Sequence, residues 1–295
     1  MERSIFFIIN PIAGFKKDKS GLIRLIEETC RDVRFEIYQT RARGDATRAA
    51  REAAEAGWEI IAAVGGDGTI NEVATALVNR PNAMGIVPMG SGNGLARSLE
   101  LPLKVEAALQ TLKTGTIATI DIGKAGKRYF CTVCGAGIDA VVGAAFDRTP
   151  RRGPLPYFLI TARELFHYSP EPVTLQIDGQ SKSFTPFLLT CANGKQFGNG
   201  AIIAPHARFD DGLLDLCLVP NISKWRIISA IPMLFNGTLD RHPQVSYSKI
   251  QKLVIEKDGD ILYHVDGEPV RARSPLTVEI LPQALNVVVN PEKKS

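Results

Sequence analysis

A chain of 295 residues has room for about two domains, and at that size it buries about 75% of its unfolded surface without disulfides or a structural metal. With 45% hydrophobic and 22% charged residues, the composition is that of a soluble globular protein and excludes a disordered chain or a coiled coil. Lys+Arg 35 against Asp+Glu 31 leaves a net charge of +4, which is too small to argue for nucleic acid but would not repel a phosphorylated ligand or an anionic membrane.

The chain opens on an apolar run, Ser4–Ile9. It ends in Asn10-Pro11 and lacks a small-residue cleavage site, so it reads as a buried strand, not a signal peptide. Leu22, Leu25, Ile26 and Thr29 recur at helical spacing. Phe35, Ile37 and Gln39 predict a second strand, and Asp45 an N-cap for the helix that stops at Gly57. Ile60–Val64, Gly85–Val87 and the helical segments Ile70–Val78 and Lys104–Lys113 complete a βαβ series. The series predicts an α/β domain with a doubly wound, mostly parallel sheet.

Near residue 122 the pattern changes to period-2 alternation. Val173, Leu175, Ile177; Leu214, Leu216, Leu218; Val254 with Ile261; and Val278 and Ile280 read as strands. Asp178-Gly179, Asp258-Gly259 and Asp266-Gly267 supply turns, and one helix, Lys224–Phe235, interrupts the series. The second half is therefore expected to be mostly antiparallel β. No stretch reaches the ~20 apolar residues of a membrane span. Five scattered cysteines, an odd number, suggest a reducing cytoplasm. Cys131 and Cys134 lie three apart around an expected strand, Tyr129–Val133, and read as a buried structural pair.

Four loops follow the four N-terminal strands, at the carboxyl ends where an open α/β sheet binds ligands. They are Asn10-Pro11-Ile12-Ala13-Gly14, Thr40-Arg41-Ala42, Gly65-Gly66-Asp67-Gly68-Thr69 and Pro88-Met89-Gly90-Ser91-Gly92-Asn93-Gly94. Glycine lets main-chain N–H groups approach an anion, and the third loop runs straight into a helix N-terminus. Thr69-Ile70-Asn71-Glu72 has the form of a capping box. Asp67 beside a phosphate nest implies a divalent cation between them, the role Mg²⁺ takes in phosphoryl transfer. Gly14-Phe15-Lys16-Lys17-Asp18-Lys19-Ser20 lacks the glycine that a Walker A loop needs before its lysine. Gly135-Ala136-Gly137-Ile138-Asp139-Ala140 has the spacing of a dinucleotide fingerprint but lies outside the strand–helix series.

The Asn10-Pro11 loop, Gly65–Thr69 with Asn71-Glu72, and Gly90-Ser91-Gly92-Asn93 together resemble the diacylglycerol kinase catalytic-domain family, which includes sphingosine-kinase-like members. The resemblance spans essentially the whole chain. It implies an ATP-binding α/β domain over 1–122 plus 284–295, and a lipid-receiving β-sandwich over 123–283. It implies nucleotide contacts at Asn10, Pro11, Ile12, Ala13, Gly14, Thr40, Gly66, Asp67, Gly68, Thr69, Ile70, Asn71, Glu72 and Ser91. It also implies a structural Mg²⁺ on Asp211 with main-chain carbonyls of Arg208 and Leu213, and Glu268 as general base, with Asp67 as the other claimant. Taken without the resemblance, Asp210-Asp211-Gly212 is a hairpin turn and Glu268 a charged turn residue.

The implied function is an ATP- and Mg²⁺-dependent lipid kinase acting on a hydroxyl of a diacylglycerol, a sphingoid base or a related alcohol. Ser91 and Gly94 match the sphingosine-kinase-like pattern more closely than that of the soluble diacylglycerol kinases. Ile227–Phe235, with Trp225 and Arg226 before it, reads first as a core helix and Arg148, Arg151 and Arg152 as a solvated loop, with acyl-chain, membrane or headgroup contact as the alternative. The expected partner is a lipid at the membrane surface, with peripheral attachment from the cytoplasm and no nucleic acid; a homodimer stays open. Two alternatives stand beside this: a kinase for a soluble nucleotide, because NAD kinases share the Gly-Gly-Asp-Gly-Thr turn, and a non-catalytic binding module.

Overall fold

The computed structural model describes residues 3–14, 18–149, 154–177 and 179–291. Lys16 and Lys17 of the lysine run, Arg151 and Arg152, and Asp178 lie outside them. The chain divides into two compact units, Met1–Ile120 with Gln283–Ser295, and Asp121–Pro282.

The first unit begins β1 (Ser4–Ile9), α1 (Ser20–Thr29), β2 (Arg34–Gln39), α2 (Asp45–Glu55), β3 (Ile60–Gly65) and α3 (Asp67–Leu77). It continues with β4 (Ala83–Pro88), α4 (Gly94–Ser98) and α5 (Val105–Thr114). β1 pairs in parallel with both β2 and β3, and β3 with β4. β3 and β4 are buried along their whole length, as central strands covered on both faces must be. Helices α1 and α5 pack together, as do α2 and α3. Ile5, Phe7, Ile9, Ile26, Ile60, Val64 and Leu109 share one core.

Two local expectations need correction, and one short helix was not anticipated. Gly44, with φ +82°, precedes the first residue of α2, and Asp45 is the first helical residue instead of the cap. The Asp45 carboxylate turns back to accept the Arg41 N–H at 2.8 Å, and that bond, with Arg48 beside it, holds its pKa below the usual carboxylate range. Helix α3 begins at Asp67, so Thr69 lies inside the helix and the capping box does not form. The five-residue α4 is too short to show a hydrophobic period, so periodicity could not announce it.

β5 (Thr116–Ala125) begins in the first unit and continues into the second, which runs on through β6 (Arg128–Phe130), β7 (Val133–Gly135), α6 (Ile138–Asp147), α7 (Pro154–His167), β8 (Val173–Ile177) and β9 (Gln180–Phe184). Next come β10 (Pro186–Ala192), β11 (Gln196–Gly198), β12 (Ala201–Ile202), β13 (Leu214–Pro220), α8 (Lys224–Asn236) and β14 (Ser246–Ile250). The unit ends with β15 (Lys252–Glu256), β16 (Asp260–Val265), β17 (Glu268–Arg273) and β18 (Leu276–Val289). One sheet has the order β14-β13-β10-β7-β16-β17. The other joins β15 to β18 and β8, and β8 to β9, all antiparallel. Leu175, Ile255 and Val278 from one sheet meet Leu189, Leu216 and Tyr263 from the other in a shared core, making a sandwich. β18 starts in this unit and ends in the first, where Asn286 and Val287 pair in parallel with Ala83 and Met84 of β4.

Among the described residues three α-helices, not one, interrupt the strands: α6 and α7 escaped the expectation because their apolar residues are too dense to show a clean stripe. The expected strand Tyr129–Val133 is broken at Cys131-Thr132, whose amides turn to a carboxylate described below. All five cysteines are buried and free, and burial pushes the Cys217 thiol up to about 12.

In the β5–β6 hairpin, Gly123 lies opposite Phe130, and a Cβ at Gly123 would stand 2.0 Å from the Phe130 ring. The fully buried ring uses the space the missing side chain leaves. Gly123→Ala should therefore destabilise the fold by about 1–3 kcal/mol. Urea unfolding measures this, and an unchanged midpoint would mean that Phe130 has room to move.

Candidate active site

The loops after β3 and β4 are built against each other. A Cβ on Gly90 would stand 2.8 Å from Gly66 Cα, so only glycine allows the two backbones to come this close. Met89 N–H donates to Gly65 O at 2.8 Å. The Asp67 carboxylate accepts Asn93 N–H at 2.9 Å on one oxygen and Gly94 N–H at 2.7 Å on the other, clamping the start of α4. Asn93, itself at φ +50°, closes its own loop: Oδ1 accepts Gly90 N–H and Nδ2 donates to Gly90 O, both at 2.9 Å. Ser91 stands exposed at the tip.

The Asn10 loop joins the same assembly. Asn10 Nδ2 donates to Thr69 Oγ1 at 3.1 Å, and its Oδ1 accepts Ile12 N–H at 3.1 Å. Ala13 N–H donates to Asn10 O, and Gly14 turns at φ +76°. Lys19 is buried and donates to Ala13 O at 2.5 Å. Pro11 follows Asn10 in the turn, and Ile12 is 82% exposed. Thr40 N–H donates to Ile9 O at 2.9 Å, which sets the end of β2 beside the end of β1. Beyond it an open hollow of about 350 Å³ is lined by Tyr38, Arg41, Arg43, Asp45 and Arg48, the Asp45 carboxylate being paired with Arg48.

Gly68, Ile70, Asn71 and Glu72 lie in the first turns of α3. Ile70 is buried, and Asn71 Oδ1 faces Thr75 Oγ1 at 3.5 Å. Glu72 is engaged elsewhere than expected. Its two oxygens accept Gly44 N–H at 3.0 Å and Ala46 N–H at 3.1 Å, so it caps α2 from the neighbouring helix, and its own carbonyl accepts Thr47 Oγ1. The acidic residue that suggested a capping box does cap a helix, but not its own.

In the second unit Glu268 is the first residue of β17, half-buried and paired with Val265 across a two-residue turn. Asp266 and Gly267 make that turn at φ +48° and +85°, the positive pair a type I′ hairpin requires. Asp266 is the carboxylate that breaks the Tyr129–Val133 strand. It accepts Cys131 N–H at 2.7 Å, Thr132 N–H at 2.8 Å, Thr132 Oγ1–H at 2.7 Å and Val133 N–H at 3.1 Å. Periodicity carries no trace of this nest, although the Asp-Gly turn signal marked its place.

Of the residues expected to hold a structural Mg²⁺, the Asp211 carboxylate is already engaged within the chain. Asp211 Oδ1 accepts Leu213 N–H at 3.1 Å, and its Oδ2 takes the Lys249 ammonium at 2.8 Å. The same ammonium bonds Asp215 Oδ2 at 2.8 Å, so a cation from the chain already bridges the two carboxylates. Burial opposes its charge, yet the two carboxylates outweigh this and hold its pKa above the ordinary lysine value. The Arg208 side chain pairs with Asp210, and the loop is pinned further by the buried Asp121, which accepts Gly212 N–H at 2.7 Å. Among the described residues no group of three or more His, Cys, Asp or Glu side chains is arranged to hold a metal.

The comparisons with known proteins agree with this architecture. The family described as "Diacylglycerol kinase catalytic domain" matches residues 4–125, and "YegS C-terminal NAD kinase beta sandwich-like domain" matches residues 132–289. A "Probable lipid kinase YegS-like" of Yersinia pestis is 31% identical over 281 residues, covering 90% of this chain and 92% of its own. A "Diacylglycerol kinase" of Staphylococcus saprophyticus is 26% identical over 278 residues, covering 91% and 90%. A solved structure of a diacylglycerol kinase from Bacillus anthracis aligns with a TM-score of 0.75 at 21% identity, covering 99% and 98%. A second solved chain from that organism reaches 0.82 at 22%, covering 99% and 96%; at such identities the likeness shows the fold.

Three outcomes follow from the geometry. Asp67→Asn puts an NH₂ group where an oxygen now accepts an amide, and should weaken MgATP binding about 10- to 100-fold through loss of the loop clamp; calorimetry measures it. Lys249→Met should lower stability by an amount on the order of 1 kcal/mol, since the ammonium is partly exposed. The melting temperature of the unaltered protein should be the same in magnesium and in chelator. A fall on chelation would reinstate a structural cation.

Proposed function

The chain belongs to the diacylglycerol kinase family, with a YegS-type sandwich as its second unit, and on that premise we propose that it transfers the γ-phosphoryl group of MgATP to a lipid hydroxyl. Magnesium enters this reaction with the nucleotide, as part of the substrate. The observation that carries the reading is the pair of glycine loops at the carboxyl ends of β3 and β4, held in close contact and locked by Asp67. Amides fixed before the ligand arrives stabilise charge on β- and γ-phosphates without the cost of reorganising.

Glu268 is the proposed base. A lipid hydroxyl is a poor nucleophile until its proton is accepted, and a carboxylate at the start of a strand, directly after a two-residue turn, is suited to accept it. Asp67 is the weaker claimant, because both its oxygens already receive main-chain amides. The proposed acceptor is a membrane lipid with a free hydroxyl, diacylglycerol or a sphingoid base being the first to try. Leu159 and Phe166 on α7 and Trp225 and Phe235 on α8, all more than half exposed, support contact with a bilayer surface. No helix among the described residues is long and apolar enough to cross a membrane.

The test supplies γ-labelled ATP with magnesium and either vesicles of defined lipids or NAD. Label in a phosphorylated lipid is the expected result, with Glu268→Gln lowering kcat about 10²- to 10⁴-fold. Label appearing only in NADP would instead favour a soluble nucleotide as acceptor, the activity that the sandwich family's description brings to mind.

A further inference from the structure

Three neighbouring strands of the second unit place Thr190, Gly135 and His264 in one row. Thr190 of β10 pairs with Gly135 of β7, and Gly135 with His264 of β16. Gly135 has no side chain, and Asp139 from the first turn of α6 fills the space. A Cβ at Gly135 would stand 1.8 Å from Asp139 Oδ2 and 2.7 Å from His264 Nε2. Thr190 Oγ1 donates to Asp139 Oδ2 at 2.9 Å, and the same oxygen lies 3.2 Å from His264 Nε2. Asp139 Oδ1 accepts the Ala140 N–H. The group is closed to solvent: Thr190 is 0% exposed, His264 2%, and the Asp139 side chain 9%.

The other side of the imidazole ring faces the turn before Glu268. His264 Nδ1 accepts the Gly267 N–H at 3.2 Å. A ring nitrogen that accepts an amide hydrogen carries none itself, so the imidazole hydrogen sits on Nε2 and is donated to Asp139. The chain of bonds therefore runs from Thr190 through Asp139 and His264 to Gly267, and it stops one residue short of the carboxylate that phosphoryl transfer needs. Helix α6 also backs the turn, for a Cβ on Gly143 would stand 3.3 Å from Gly267 O. Asp266 fixes the first half of the turn through Cys131, Thr132 and Val133, and His264 fixes the second half.

We propose that Thr190, Asp139 and His264 are positioning residues for Glu268. Asp139 selects the histidine tautomer whose Nδ1 holds Gly267, and that hold sets where the Glu268 carboxylate stands. The proposal rests on Glu268 being the base. Burying three polar groups is tolerable only when each is satisfied, and here the satisfaction extends to the peptide that carries the reactive side chain.

Two substitutions separate the two ends of the ring. Asn at 264 offers an amide oxygen near the Nδ1 position, and Gln offers a donor near the Nε2 position. His264→Asn should keep the tie to Gly267 and lose the bond to Asp139, whereas His264→Gln should do the reverse. The expected result is that His264→Gln lowers kcat for the lipid about 10- to 100-fold, the scale on which small displacements of a catalytic group act. His264→Asn should recover most of that loss, with the KM for ATP unchanged in both. Amide exchange of Gly267, followed by NMR, should stay slow in the unaltered protein and in His264→Asn and become fast in His264→Gln. Equal losses of kcat in the two variants, tracking equal losses of melting temperature, would reduce the chain to a structural element and overturn the proposal. So would slow Gly267 exchange in all three proteins. If the unaltered protein phosphorylates no lipid, the assignment of Glu268 fails, while uniform Gly267 exchange would separately refute the histidine tie.

Discussion

Two hydrogen bonds from Asn93 and Gly94 to the Asp67 carboxylate turn two separate glycine-rich turns into one surface. The Met89 N–H to Gly65 O bond already brings the two turns together, and the Asp67 carboxylate ties the start of α4 to them. A main-chain N–H is a useful phosphate ligand only if its direction is set in advance, and glycine, the residue that permits close approach, is also the one that sets direction least. Asp67 supplies the constraint that the glycines lack. Asn93 and the bond from Asn10 to Thr69 extend it to the neighbouring strand ends.

The same device recurs in both units. Glu72 receives two amides of α2, Asp266 three amides and a hydroxyl, and Asp121 the amide of Gly212. Each joins segments far apart in the chain, and each charge-assisted bond of this kind is worth about 1.5–3 kcal/mol. The acidic residues of this fold thus act first as acceptors for main-chain N–H groups. Lys249 between Asp211 and Asp215 is the complementary case, an ammonium bridging two carboxylates.

The alternation of β1 to β4 with helices was legible because buried parallel strands are continuous apolar runs and their turns are rich in glycine. The sandwich was legible for a different reason, the period-2 pattern seen in Leu214, Leu216 and Leu218. What stayed hidden were the long-range partners of side chains. Glu72 looks the same in sequence whether it caps its own helix or one whose capped amides lie some 26 to 28 residues away. Asp139 and His264 are 125 residues apart and meet only because Gly135 leaves a gap between them. Asp211 gives no local sign of Lys249, which reaches it from β14, the strand paired with β13. Pattern identifies elements, whereas the pairing of charges depends on register, which no local window contains.

The last strand has a consequence for how the protein is made. β18 begins in the second unit and supplies an edge to β4 of the first only at Asn286 and Val287. As the nascent chain leaves the ribosome, β4 is complete about two hundred residues before that partner exists, and at ordinary synthesis rates the wait is roughly 10–40 s. Through that interval the Ala83–Pro88 strand has an unpaired side made of buried-type residues, the kind of edge that invites association between chains. The α/β unit therefore reaches its final form only after the sandwich has been synthesised, and its early partly folded state is where a chaperone would be needed most.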